Sequence, residues 1–394
     1  MNTALICGMM DAMDGIVRHE GADMAGNVID DIRSDLDRFD ARPFGQTDSL
    51  ALSQLAYARM PDNVPRLDGS GDAHALATVP LRDLLRAECY DDMFGSIWSP
   101  SLNVDLLRAM CESPRWRDLR VGGYVSEFDP SQTKQFSACV FDVGDGSLYV
   151  AFRGTDATIV GWKEDFMMAF RRPISSQVAA ADYLSRIASL WHGPIRVGGH
   201  SKGGNLAVYA AASVDESIRE RIVRAYSHDG PGFDQEFLAS AGYLDIAAKV
   251  DKSVPSSSII GMLFEPRERM ADGYTVVDSD GVGIMQHFAL NWHVEHGRFA
   301  ASEGLSASAR YAARTLNEWM ARYDDDRRRV FIENLFRVIE SAGCDTFGAL
   351  TSHWTQLLPA MLAAARDIDA DDRKVITTVI AGLASAAAAS VVAS

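Results

Sequence analysis

Residues 195–205 read Ile195-Arg196-Val197-Gly198-Gly199-His200-Ser201-Lys202-Gly203-Gly204-Asn205. A short apolar run ends at a pair of glycines, and a helical stretch from Lys202 to about Ala212 opens directly after the serine. The segment therefore reads as strand, sharp turn, helix. Gly199 and Gly203 let that turn tighten and push Ser201 into a strained backbone conformation, lifting its hydroxyl above the sheet edge. Gly204 lets the helix approach closely, and the N–H groups at the helix start face any negative charge that develops on a reacting oxygen. A serine so placed is a candidate nucleophile, and the backbone N–H of Lys202 is its first oxyanion donor. The bland alternative is a Gly-rich turn whose serine only caps a helix. The strand–turn–helix setting favours the catalytic reading.

The surroundings repeat the same alternation. Phe136 to Phe141 and Leu148 to Phe152 are apolar runs joined through Gly144-Asp145-Gly146, a hairpin signal. Ala179 to Trp191 has amphipathic helical spacing, and Ile195 to Val197, Ile222 to Tyr226 and Tyr274 to Val277 read as further strands. Strands alternating with helices predict an α/β fold with a mainly parallel sheet covered on both faces. Before it stands a helical preface. Asn27 to Phe39 carries Val28, Ile29, Ile32, Leu36 and Phe39 at helical spacing, Asp48 is read as the cap of the next helix, and Pro61 to Gly71 reads as a loop. After it come helices over Ala307 to Tyr323, Arg327 to Ser341 and Phe347 to Ala365. The acid-then-base order of Asp324 to Arg329 is the macrodipole arrangement of a helix start. These readings divide the chain into a helical preface (1–120), an α/β core (121–300) and a helical extension (301–394).

A nucleophilic serine needs a base, an acid and a second oxyanion donor. Histidines after the serine are the candidates for the base. His287 follows the strand Tyr274 to Val277 and the Gly-rich loop Asp280 to Gly283, with His293 and His296 as competitors. Two aspartates compete as the acid: Asp229, directly after the strand Ile222 to Tyr226, and Asp251, one strand later. The second oxyanion donor should come from Phe152-Arg153-Gly154-Thr155-Asp156, a loop at the end of an apolar strand. Glu164 and Asp165 invite a two-carboxylate reading as in glycosidases; a simpler expectation is that Asp165 pairs with Arg153 and braces this loop.

Ala151 to Asp156, followed by Gly161-Trp162-Lys163-Glu164-Asp165-Phe166, resembles the F-R-G-T region of fungal-type (class 3) lipases. More closely, the chain resembles a bacterial family of lipase-like α/β hydrolases that carries a domain-of-unknown-function label. The similar segments are Gln135 to Ala138, Gly198 to Asn205, Asp229-Gly230-Pro231-Gly232-Phe233, Ser258 to Leu263 and Gln286-His287 with Trp292, together with Pro43-Phe44 and Asp48 to Tyr57. The resemblance spans nearly the whole chain and implies the α/β-hydrolase fold. It also implies Thr155 as the second oxyanion donor, His287 as the base, and Asp229 as the acid through D-G-P-G-F. The fungal-type lipases keep their acid in the later loop before a Val-Pro, so Asp251 stays the alternative acid, although its spacing to Val254-Pro255 is shifted from theirs.

The expected function is carboxylic-ester hydrolysis by a serine esterase or lipase-like enzyme, with no metal or organic cofactor. The alternatives are an acyltransferase or amidase on the same residues, or a non-catalytic scaffold whose C-terminal helices bind a partner. Ile259 to Phe264 with Met167, Met168 and Phe170 is the candidate acyl pocket, which implies a small-molecule or lipid ester substrate. Lys+Arg 38 against Asp+Glu 54 gives a net charge of −16, which repels nucleic-acid phosphate and anionic lipid. Five scattered cysteines (Cys7, Cys89, Cys111, Cys139, Cys344) without a C-x-x-C pair suit free thiols in a reducing, cytoplasmic setting. Ala4 to Met10 lacks a basic lead and is followed by Asp11, unlike a secretory signal. Val375 to Val392 is rich in Ala and Ser, which suits a packed small-residue helix better than membrane insertion.

Overall fold

The computed structural model describes residues 26–67, 75–156, 158–265, 273–281 and 283–341, with 343, 363–364 and 368. Its centre is an eight-stranded sheet whose spatial order follows the sequence: β1 (Thr78–Pro80), β2 (Arg120–Asp129), β3 (Lys134–Asp142), β4 (Leu148–Phe152), β5 (Ile195–His200), β6 (Ile222–His228), β7 (Val250–Pro255) and β8 (Thr275–Val277). Neighbours from β1 to β4 are antiparallel and those from β4 to β8 are parallel. The β3–β4 hairpin turns through Gly144 and Gly146, both at positive φ, as the Gly-Asp-Gly signal implied.

Both faces of the sheet are buried, and side-chain alternation divides them. Cys139, Phe141, Tyr149 and Ala151 pack under the N-terminal helices α1 (Val28–Ser34), α2 (Gln46–Leu55) and α3 (Pro100–Glu112). Phe136, Ala138, Val140, Val150 and Phe152 pack under α5 (Ser175–Leu190) and α6 (Lys202–Ser213). A third apolar cluster joins α4 (Ile159–Met167) to the C-terminal α8 (Asp325–Glu340), which follows α7 (Ala307–Arg322). There the Phe166 and Phe336 rings meet edge-on at 5.5 Å, and Lys163 pairs with Glu340 at 2.9 Å. A mainly parallel sheet with helices on both faces, and a serine at a strand–helix turn, is the α/β-hydrolase architecture.

Several local expectations shift. The first helix stops at Ser34 rather than Phe39, because Asp35 turns away to pair with Arg42 at 2.6 Å and Leu36 is left 52% exposed. Asp48 is not an N-cap: it stands inside the first turn of α2, accepts from the Gly45 N–H at 2.8 Å and is buried against Arg115 at 2.7 Å. The preface also supplies an edge strand, β1. Asp324 caps α8 by accepting from the Arg327 N–H at 2.9 Å, with Asp325 and Asp326 in the first turn, as the charge order implied. Phe347 to Ala365 falls almost wholly outside the described residues, as do Val375 to Val392, Ala4 to Met10, Cys7 and Cys344. Cys89, Cys111 and Cys139 are free thiols. No described helix is long and apolar enough to cross a membrane, and no described group of side chains could hold a metal ion.

Register sets the position of the strand ends. Phe152 lies opposite Gly199, His200 opposite His228, and His228 opposite Ser253, so the loops leaving β4 to β7 emerge together at the carboxyl edge of the sheet. His228 is locked there by Ser253 Oγ at 2.7 Å and Ser49 Oγ at 2.9 Å, and burial, with His200 as a lesser cause, pushes its pKa down to about 3. The unfolded chain binds a proton at this residue near pH 6.5 and the folded chain does not. Stability contributed by His228 is therefore complete above pH 6.5 and declines as the pH falls towards 3. Urea unfolding of the parent between pH 7 and 5 should show this loss. His228→Asn should flatten the slope by roughly 1 kcal/mol per pH unit, and an unchanged slope would refute the assignment.

Candidate active site

Ser201 has φ 58° and ψ −131°, a backbone conformation that L-residues rarely adopt. Its N–H donates to the His228 carbonyl at 2.8 Å, and its own carbonyl accepts from Gly204 N at 2.9 Å. The turn closes so tightly that a Cβ on Gly203 would lie 2.1 Å from the Phe152 carbonyl oxygen and 3.0 Å from Gly154 N. This close approach explains the second glycine of the motif, and it puts the Phe152–Asp156 loop against the serine turn. Ser201 is 7% exposed and His287 8%.

Asp229 directly follows β6, at φ 49°. The His287 Nδ1–H donates to Asp229 Oδ2 at 2.6 Å. The other oxygen, Oδ1, accepts from Ser258 Oγ at 2.5 Å and from Gly261 N at 3.1 Å. Both carboxylate oxygens are thus satisfied without its own Gly-Pro-Gly turn, so this aspartate is not a turn cap. Behind it Lys252 Nζ donates to Gly261 O at 2.6 Å and pairs with Glu265, which braces the loop that carries Ser258.

The competing residues lie elsewhere. Asp251 sits opposite Tyr226, three residues back along the sheet from Asp229, and takes Gln46 Nε2 at 2.5 Å. His293 pairs with Asp278 at 3.3 Å and Asp280 at 2.9 Å, and His296 lies at positive φ in an exposed turn. Of the candidates, Ser201 and Asp229 follow the adjacent strands β5 and β6, and His287 reaches Asp229 from the loop after β8; Asp251 does not join them.

The Phe152–Asp156 loop is braced differently from expectation. Arg153 pairs with Asp156, at 4.0 Å, rather than with Asp165. Asp165 instead accepts the Thr155 hydroxyl at 2.5 Å and lies 3.7 Å from Lys202 Nζ. Burial pushes Asp165 up to about 6 against the opposing pull of Lys202 and the Thr155 hydroxyl. The two-carboxylate reading also dissolves, because Glu164 is a structural anchor: it accepts from Lys202 Nζ at 2.9 Å, Gln135 N at 3.0 Å, and Ser176 Oγ and N at 2.7 and 3.1 Å. Lys202 also donates to the Gln135 carbonyl at 3.0 Å. The sequence points only to the backbone of Lys202; its fully buried ammonium and the side chains of Lys252 and His200 carry no sequence signal, and Ser258 enters only within the resembling segment Ser258 to Leu263.

The family model for Mbeg1-like proteins matches residues 110–337, more than half of the chain. The chain belongs to the Mbeg1-like family. The match covers every strand from β2 to β8 and each of the site residues above. Among solved structures the chain is similar to a fungal lipase in an inhibitor complex, at 16% identity over 59% of this chain and 76% of that one, with a TM-score of 0.34. It is similar also to the Rhizomucor miehei lipase–propeptide complex (15% identity, 62% and 93% covered, TM-score 0.32). A lipase from Rhizopus microsporus var. chinensis gives 14% identity, 64% and 89% covered, and a TM-score of 0.30. No curated protein matches the chain.

The buried Lys202–Glu164 pair gives a test that does not depend on activity. Lys202→Met leaves the Glu164 carboxylate buried without its cation and should cost about 3–5 kcal/mol in urea unfolding. The double variant Lys202→Met/Glu164→Gln should recover much of that loss. Strictly additive losses would show that the two residues are not coupled.

Proposed function

We propose that this protein is a serine hydrolase that cleaves carboxylic esters, with Ser201 as nucleophile, His287 as base and Asp229 as acid. The observation that carries the reading is the Asp229–His287 bond at 2.6 Å, with Asp229 at the end of the strand next to the one that leads into a serine held at positive φ before a helix. Asp229 engages Nδ1, which leaves Nε2 as the nitrogen that takes the Ser201 proton while Oγ attacks the ester carbonyl. The imidazolium that forms is stabilised by the Asp229 carboxylate and then protonates the leaving alcohol. Negative charge on the tetrahedral intermediate falls to the backbone N–H groups of Lys202 and Thr155. The Thr155 hydroxyl, tied to Asp165, and the Lys202 ammonium, tied to Glu164, keep those two peptides from reorienting. Water activated by His287 then releases the acyl group.

Met168, Phe233, Phe237, Phe264 and Met320, with the charged Arg172, Asp234, Glu265 and Arg328, line a cavity of about 330 Å³ that borders Asn205, one helical turn after Ser201, but is not lined by Ser201, Asp229 or His287. Met262, part of the run first read as pocket lining, is fully buried in another cluster.

A fluorophosphonate probe should label Ser201, and mass spectrometry of the labelled peptide locates the adduct. An adduct elsewhere, or none on the folded protein, removes the nucleophile assignment. Asp229→Asn should lower ester turnover by on the order of 10⁴, while Asp251→Asn keeps most of it, both variants melting like the parent. The opposite ranking would transfer the acid role to Asp251.

A further inference from the structure

His287 ends a 3₁₀ turn, Gly283–His287, so no strand or long helix holds it. A base on a loop has to be pinned by individual hydrogen bonds. The carbonyl before it, Gln286 O, accepts from the buried Trp292 Nε1 at 2.8 Å, and the Gln286 side chain binds Ser257 N and Ser279 O. The carbonyl of His287 itself is 2.6 Å from His200 Nε2, and the two imidazole rings lie 4.7 Å apart between centroids.

The direction of each bond around His200 follows from simple constraints. A carbonyl only accepts, so Nε2 carries a hydrogen. Burial, with His287 as a second cause, pushes the His200 pKa down to about 3, so the ring is neutral at pH 7 and Nδ1 is bare. Nδ1 lies 2.9 Å from the Tyr57 hydroxyl, which must donate to it. Tyr57 follows α2 in the N-terminal preface, and its hydroxyl occupies space left open by Gly154 of the oxyanion loop, where a Cβ would lie 1.9 Å from it. One line of hydrogen bonds thus runs from Tyr57 O–H to Nδ1, and from Nε2–H to the backbone of His287.

We infer that His200, oriented from behind by Tyr57, is the positioning residue that holds the His287 backbone, and through it the imidazole, in its working place. The role rests on the hydrolase reading of Ser201 and His287. His200 is thereby more than a spacer between Gly199 and Ser201: it joins the serine turn, the histidine loop and the preface.

Two amides separate this role from mere space filling. A glutamine amide reaches as many bonds from Cα as Nε2 and can still donate to the His287 carbonyl; an asparagine amide reaches only as far as Nδ1. With p-nitrophenyl butyrate as the probe substrate, His200→Asn should lower kcat roughly ten- to hundredfold, the range of one lost buried hydrogen bond, with little change in KM. His200→Gln should stay within a few-fold of the parent, and urea unfolding corrects both for stability. Equal losses, or a better Asn than Gln variant, overturn the role. Nitrogen-15 NMR of histidine-labelled parent protein should show His200 neutral with hydrogen on Nε2. Hydrogen on Nδ1 overturns the relay whatever the kinetics. Absence of fluorophosphonate labelling at Ser201 in the parent would instead count against the hydrolase reading, and the tautomer would still decide the relay.

Discussion

The Lys202 ammonium has no solvent beside it, so its charge must be met from within, and Glu164 meets it. A buried pair of this kind contributes little net stability, because desolvation offsets most of the Coulombic attraction. What it enforces is arrangement. Glu164 brings α4 and the start of α5 to the residue after the serine, and the Gln135 carbonyl brings β3 to the same ammonium. If any one of these elements moved, a full charge would be left in an apolar interior. The neighbouring Asp165 then reaches the Thr155 hydroxyl. The two peptides assigned to the oxyanion are in this way set by one charge balance beneath them.

A second set of constraints acts from the opposite side of the sheet. α2 presents Ser49 and Ser53 to Tyr149 and Ser49 to His228, all inside the protein, and the residue after its C-cap is Tyr57. These hydroxyls and imidazoles satisfy one another without a formal charge, which suits the thin polar layer between two apolar clusters. The N-terminal helices therefore do more than cover apolar surface. They hydrogen-bond two buried histidines that stand side by side on β5 and β6.

Much of this was legible in the sequence, and the reasons differ by residue. The serine turn was readable because its signal is backbone chemistry: glycines where a Cβ would collide, a strand before and a helix after. The hairpin through Gly144 and Gly146 was readable for the same reason. The choice between Asp229 and Asp251 rested on resemblance, since both follow strands. Register supplies the physical distinction, because Asp251 stands opposite Tyr226, short of the strand end, and within reach of Gln46. The side chains of Lys202 and His200 were not legible, because they occupy the free positions of the motif and their partners lie 38 and 143 residues away. Arg153 and Asp165 were paired on charge alone, and the structure gives each a different neighbour. The length of the first helix was missed because apolar spacing continued past Ser34 while the ion pair of Asp35 with Arg42 turned the backbone.

The sheet is laid down in the order in which the chain is made, each strand beside the one before it. Neighbouring strands can therefore pair as they emerge during synthesis, without waiting for a distant partner. The three residues assigned to chemistry do not arrive together, however. Ser201 is laid down first, Asp229 a strand later, and His287 only after β8. The short N-terminal strand Gly26–Asn27 must wait longer still, since it pairs with His293–Glu295. A growing chain can thus carry most of a finished sheet and a fully formed serine turn before the loop that carries His287 has been made.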